Sequence, residues 1–254
     1  MCTQKKYSEK NLGCGVNESE GLDWVFEQED QAIILEDDCL PHPSFFPFCT
    51  ELLERYKNDE KIMHISGNFF QQKNQKFKEK NSYYGSILPH VWGWATWRRA
   101  WKKYDYGLVN WPEVKQNQTL APWFKNPAAY EYWASVWDQY YKEKVNNYDA
   151  RWVFACMINK GICINPTVNL ITNIGFDESA THTKVPDESA NIPTEEIIFP
   201  IIHPAKITIN FQADAFTFRK NFGIDEKIHH QILRPIKNMF PKSYWKLRNI
   251  SRLK

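Results

Sequence analysis

Residues Gln31 to Leu40 read Gln-Ala-Ile-Ile-Leu-Glu-Asp-Asp-Cys-Leu, an apolar run that passes without a spacer into three acids. The run Ala32–Leu35 has the length and side chains of a short buried strand, and it suits the interior of a parallel sheet. Such a strand needs helices over both of its faces, so the chain is expected to be α/β. Glu36, Asp37 and Asp38 then fall at the strand's carboxyl end, where open α/β sheets bind their ligands. Adjacent carboxylates repel one another, and a divalent cation relieves that repulsion. Hard oxygen donors point to Mg²⁺ or Mn²⁺ rather than zinc. A solvated acidic turn is the plainer reading of the same residues.

The remaining chain restricts what that site could serve. Its 254 residues can bury the core of one large domain, with or without an appendage. Eleven Trp suit either a heavily aromatic core or a sugar-binding cleft. A net charge of +2 gives no global field for nucleic acid. The six Cys form no Cys-x-x-Cys pair and no signal peptide follows Met1, so reduced thiols and a cytoplasmic location are expected. No apolar run approaches the length of about 18 residues that marks a membrane-spanning helix. From Lys227 to Lys254 there are eight Lys or Arg and no acid. That basic tail is a candidate for contact with an anionic membrane surface, with a solvated amphipathic extension as the alternative. The division expected is a main domain over 1–200 and an extension over 201–254.

Along the chain, Gly13, Gly15 and Gly21 read as breakers before a short helix from Leu22 to Asp30. Ser44 is placed to cap a helix running to about Tyr56, with Phe45, Phe48, Cys49, Leu52 and Tyr56 at helical spacing. Ile62–Gly67 reads as a second strand. Gln71–Asn81 is a polar loop, either a lid or a plain connection. Ser82–Pro89 is strand-like and leads to a tryptophan cluster. Trp94, Trp97 and Trp101 stand at i, i+3 and i+7, one face of a helix, with Trp92-Gly93 in the turn before it. Core packing accounts for Trp97 and Trp101. Trp92 and Trp94 are candidates for a ligand as well as for the core, and Gly93 would allow close backbone approach. Asn126-Pro127 signals a helix to about Val145. Tyr148-Asp149-Ala150-Arg151-Trp152 opens a helix that Gly161 ends, and Ile162–Pro166 is a strand stub.

An acidic strand end, aromatic platforms and an isolated downstream Asp suit transfer from a diphosphate-linked donor. The metal would neutralise the leaving diphosphate, and one carboxylate would act as base on the acceptor hydroxyl.

Taken in order, the motifs also resemble a known family. Glu36-Asp37-Asp38 after an aliphatic strand, Pro43-Ser44-Phe45-Phe46 and Ile65-Ser66-Gly67 resemble the DxD region of GT-A nucleotide-sugar glycosyltransferases. Trp92-Gly93-Trp94-Ala95-Thr96-Trp97 and Asn169 to Gly175 with Ala180-Thr181-His182-Thr183 are similar to bacterial members related to N-acetylglucosaminyltransferase I, often labelled sugar transferase or haemolysin-like. The resemblance covers about residues 11–205. It implies a Rossmann-like GT-A mixed sheet flanked by helices, and a donor that is a nucleoside diphosphate sugar, UDP-linked, acting on a carbohydrate or lipid-linked acceptor. It implies Asp38 as metal ligand, Glu36 and Asp37 at the nucleotide, Asp149 as the base of an inverting reaction, and His182 near the metal or diphosphate. His182 as an ordinary loop residue and Asp138 as a rival base are the alternatives. The family places more chain before its acidic motif than the 35 residues found here, so the domain is expected to lack its first strands and to expose a sheet edge. A catalytically inactive remnant that binds sugar or a partner is the rival from another class. A phosphohydrolase would need more clustered Asp and His than the chain supplies.

Overall fold

The structure is a computed structural model that describes residues 4–142, 145–175 and 191–224. Its elements in chain order are α1 (Cys14–Gln28), β1 (Gln31–Ile34), β2 (Cys39–Pro41), α2 (Phe45–Tyr56), β3 (Ile62–Ser66), β4 (Tyr83–Ser86), β5 (Trp94–Trp97), α3 (Arg98–Trp101), α4 (Trp111–Gln116), α5 (Pro127–Tyr141), α6 (Asp149–Ile158), β6 (Ile162–Pro166), β7 (Ile171–Asn173) and α7 (Phe211–Lys220). The main sheet has the order β1-β5-β3-β6-β4, and β2 and β7 form a separate ribbon. Only the β3·β6 pairing is parallel; the others in the main sheet are antiparallel. The chain is thus α/β, with a mixed sheet flanked by helices, as expected at that level.

Strand alternation sends successive side chains to opposite layers. Ile33, Ile65, Ala95, Trp97 and Ile164 pack with Phe45, Phe48, Leu52 and Leu53 of α2. Ala32, Ile34, Met63, Trp94 and Cys163 pack on the other face with Leu22 and Phe26 of α1, Trp101 of α3 and Trp152 of α6. A third cluster joins α4, α5, α6 and α7 around Trp111, Trp133, Trp137, Phe154 and Phe218. The aromatic content therefore goes largely into the interior.

Several expectations are corrected. The strand after Gln31 is not interior: β1 is the terminal strand of the sheet and its residues are only partly buried. Trp94 to Trp97 is not a helical stripe. These residues form β5, and only Arg98–Trp101 is helical. As a strand the segment buries Trp94 in one core layer and Trp97 in the other, and pairing with β1 and β3 satisfies its backbone. Thr96 donates its hydroxyl to Met63 O at 2.7 Å, and Trp97 Nε1 donates to Leu53 O at 3.0 Å. Helix α1 begins at Cys14, well before Leu22, and runs through Gly15 and Gly21. A Cβ on Gly15 would lie 2.6 Å from Asn147 N, so this glycine lets α1 press against the segment before α6.

Described residues after position 200 make contacts with those before it. Asn210 N donates to Gly85 O at 2.8 Å, and Phe218 and Ile224 join the third cluster. The basic tail from Lys227 lies outside the described residues. Among the described residues no helix is long and apolar enough to cross a membrane.

Candidate active site

Although β1, β3 and β6 are not all neighbours, the pairings make them run the same way. Ile34 lies opposite Trp94, and Trp94 opposite Ser66. The carboxyl ends of these strands thus share one edge of the sheet, and Glu36, Asp37 and Asp38 follow β1 at that edge. Asp38 is held by the β2·β7 ribbon: Ile174 N donates to Asp38 O at 2.9 Å, and the Cys39 thiol donates to Asp38 Oδ1 at 3.4 Å.

Helix α6 delivers the next acid. Its inward face packs on the sheet through Trp152, Ala155 and Cys156, which leaves its first residue, Asp149, at the same edge. An acid in the first turn also suits the positive end of the helix dipole. The Tyr140 hydroxyl donates to Asp149 Oδ1 at 2.6 Å, and the Ala150 amide donates to the same oxygen. Tyr148, the residue before it, donates its hydroxyl to Glu36 Oε1 at 3.0 Å.

The approach to Asp149 is pinned by Arg151, which is only 1% exposed. Its guanidinium donates to the carbonyls of Tyr106 at 2.6 Å, Val145 at 3.3 Å and Tyr140 at 3.4 Å, and to that of Asn147. It also lies 4.0 Å from the Tyr106 ring centroid. A buried cation met by carbonyls fixes the backbone at Val145 and Asn147, just before Asp149.

An additional acid, Glu18, enters from α1. It accepts from the Cys14 thiol at 3.3 Å. Burial pushes Glu18 up to about 7, countered by the Cys14 hydrogen bond and reinforced by the charges of Asp149, Asp38 and Asp37. Burial likewise pushes Glu36 up to about 7, helped by the charges of Glu18, Asp38 and Asp149 and opposed by the Tyr148 hydrogen bond. Acids from positions 18, 36–38 and 149 therefore act on one another at a single edge. Sequence reasoning did not find Glu18, because nothing local links it to the strand end.

The aromatic residues play a different part from the one expected. Trp94 is fully buried and stacks on His64 with centroids 5.1 Å apart, and on Tyr148 at 6.3 Å. It presents no face to a ligand; it is the buttress beneath the tyrosine that holds Glu36. Trp92 is partly exposed, with its ring edge-on to Phe70 at 5.9 Å. Gly93 has φ +65, and a Cβ there would lie 2.5 Å from Ile171 Cδ1 and 3.1 Å from Leu35 Cδ2. The room left by this glycine is taken by side chains of the protein itself. Gly93→Ala is accordingly expected to destabilise the fold by about 2–5 kcal/mol, from left-handed backbone strain plus overpacking. Chemical denaturation checks this, and an unchanged midpoint would contradict it.

Asp138, the rival base, is engaged elsewhere. It accepts from Lys115 Nζ at 2.6 and 2.8 Å and from Trp111 Nε1 at 3.0 Å. His182 lies outside the described residues. Among the described residues no group of three or more His, Cys, Asp or Glu side chains is arranged to hold a metal ion. The oxygen-rich donors at the edge fit a hard cation in type, but any such ion would need further oxygens from its ligand. A cavity of about 380 Å³ lies at the other end of the sheet, between β4 and residues 204–212, and contains none of these acids. No protein-family model matches the chain, and no curated protein matches it.

Proposed function

We propose that this chain is a metal-dependent inverting glycosyltransferase of GT-A type, taking a sugar from a UDP-linked donor to a carbohydrate or lipid-linked acceptor. The observation that carries the reading is the convergence of Glu36, Asp38 and Asp149 at the carboxyl edge of β1, β3 and β6, far apart in sequence and mutually charged. In this reading Asp38 is the protein ligand of Mn²⁺ or Mg²⁺, and the donor's diphosphate supplies further oxygens. The cation would offset the charge that develops on the leaving diphosphate. Glu36, locked by Tyr148, and the exposed Asp37 face the nucleotide, and the partly exposed Trp92 is assigned to the sugar. Asp149 takes the proton from the acceptor hydroxyl as that oxygen attacks the anomeric carbon. Trp94 and Gly93 support the site from within the fold.

Titration calorimetry with UDP and Mn²⁺ tests the reading. Wild type is expected to bind the pair, and Asp38→Ala to lose the Mn²⁺-dependent part by about 10-fold or more. Equal binding by both proteins removes the metal assignment. A second reading, a sugar-binding or interaction module without turnover, draws on the lack of a three-residue metal-ligand group among the described residues. An intact fold that is silent to UDP and Mn²⁺ selects it.

A further inference from the structure

Residues 197–203 form an irregular strap that crosses the start of α2 and reaches β4, the terminal strand at the opposite end of the sheet from β1. Ile197 N donates to Ser44 Oγ at 3.2 Å, and Ser82 N donates to Ile202 O at 2.9 Å. His203 Nε2 lies 2.9 Å from Glu51 Oε1, so the strap is pinned to α2 and to the entry of β4. Ile197 and Ile201 sink into the core beside Phe45, Phe48 and Ile171, which accounts for those two side chains. It does not account for their neighbours. Ile198 is 80% exposed, Ile202 58% and Phe199 42%, and Phe46 at the start of α2 is 43% exposed. Neither 39–50 nor 197–205 contains an Asp, Glu, Lys or Arg. Single exposed apolar residues are ordinary, but a set of large ones on two charge-free segments in contact marks an interaction surface.

The charges around this face decide what it fits. Where the strap meets β4 it is followed by Lys206, and the loop that enters β4 carries Lys78 and Lys80, all three exposed. Glu79, between those two lysines, is turned back on the amides of Lys80 and Asn81. Glu195 and Glu196 stand at the other end of the strap, before Ile197. Residues 227–254 add eight Lys or Arg and no acid to the same chain. Protruding apolar side chains on a pinned backbone, with lysines at one side, suit an anionic bilayer: the apolar groups enter the acyl boundary and the cations meet the headgroups. We propose that Phe46, Ile198, Phe199 and Ile202 form a membrane-docking face that inserts shallowly into an anionic lipid surface. Helix α2 begins on the carboxyl side of β1, so Phe46 extends the face toward the edge that bears Asp38, and docking would bring a lipid-linked acceptor to that edge. The delivery of an acceptor rests on the glycosyl transfer proposed above; the docking does not, and none of its residues lies on β1.

Flotation of the full chain with lipid vesicles, in the absence of UDP and Mn²⁺, is the test. The chain should partition onto vesicles of phosphatidylcholine and phosphatidylglycerol in equal parts more strongly than onto phosphatidylcholine alone, and added salt should weaken the binding. Ile198→Asp with Ile202→Asp should lower partitioning onto the mixed vesicles by about 10-fold or more. Both side chains lie outside the core, so the urea midpoint of this variant should match wild type. Ile198→Leu with Ile202→Leu should bind as wild type does. Three results would each overturn the proposal. The first is no flotation with the mixed vesicles. The second is full binding by the Asp variant, which would leave the basic tail as the sole contact. The third is a dimer in light scattering that the Asp variant dissociates, which would make the face an interface between copies. Calorimetry with UDP and Mn²⁺ separates this from the transfer reading: a chain that floats but is silent to both keeps the docking and removes the transfer.

Discussion

Exchanging Asp149 for Asn is expected to slow sugar transfer by about 10²–10⁴-fold while donor binding is retained. The two side chains have nearly the same shape. Asn keeps an oxygen that can accept from Tyr140 and from the Ala150 amide, so the start of α6 and its packing through Trp152 should persist. What disappears is the group able to take a proton. Binding of UDP and Mn²⁺, which this reading assigns to Glu36, Asp37 and Asp38, should therefore survive, and a loss confined to turnover is the diagnostic result. Asp138→Asn is the matching control. That carboxylate is tied to Lys115 and Trp111 away from the strand ends, so its replacement should cost some stability and leave the chemical step alone. Single-turnover kinetics with donor in excess separate the two effects. Retained transfer in the Asp149 variant would remove it as the base.

Where a local signal existed, the sequence located the right elements. Asn126 caps α5 as its neighbour Pro127 implied, accepting from Ala128 N at 2.9 Å. The strand ending before Glu36 and the helix starting at Asp149 are also where periodicity and turn residues placed them. Ser44 occupies the cap position of α2, but its hydroxyl accepts from Ile197 N at 3.2 Å instead, a partner that only the tertiary fold supplies. The segment Trp94–Trp97 carries two signals, since Trp spaced by three suits a helix while two Trp and a Thr within four residues suit a strand; pairing with the neighbouring strands decides it. Helix α7 did carry a signal, the Asn210 cap that accepts from Ala213 N at 3.0 Å, but its charged and polar residues obscured the apolar face. Glu18 and Arg151 had no sequence signal as site residues. Each matters through contacts that only the packing of α1 and α5 against α6 creates.

Conformational stability is expected to peak on the acid side of neutrality, at about pH 5, because two sets of buried groups pull in opposite directions. Burial holds His64 and His90 down to about 3. Trp152 Nε1 donates to His64 Nδ1 at 3.0 Å, so Nε2 carries the proton and donates to His90 O at 3.1 Å; a second proton has no place. The unfolded chain takes up those protons below its ordinary histidine value near 6.5, while the folded chain does so only near 3. Their stabilisation is full above about pH 6.5 and is lost as pH falls, at up to about 1.4 kcal/mol per pH unit for each histidine. Burial has the reverse effect on Glu18, Glu36 and Asp214, each raised to about 7. Their stabilisation is full below the ordinary carboxyl values near 4 and is lost as pH rises through 7. Between about pH 7 and 5 three carboxyl groups gain on acidification against two histidines that lose, so stability rises gently. Below about pH 4 the carboxyl gain is exhausted and the histidines dominate. Urea midpoints across this range give the curve. His90→Asn should shallow the acid limb, Asp214→Asn should reduce the rise from pH 7 to 5, and a maximum at or above pH 7 would contradict the account. Mn²⁺ adds a test that joins the fold to the site. A cation seated at the strand ends keeps Glu18 and Glu36 ionised and shifts the maximum toward neutrality, while Asp214, bonded to Ser86 at the end of β4, contributes the same rise with or without it.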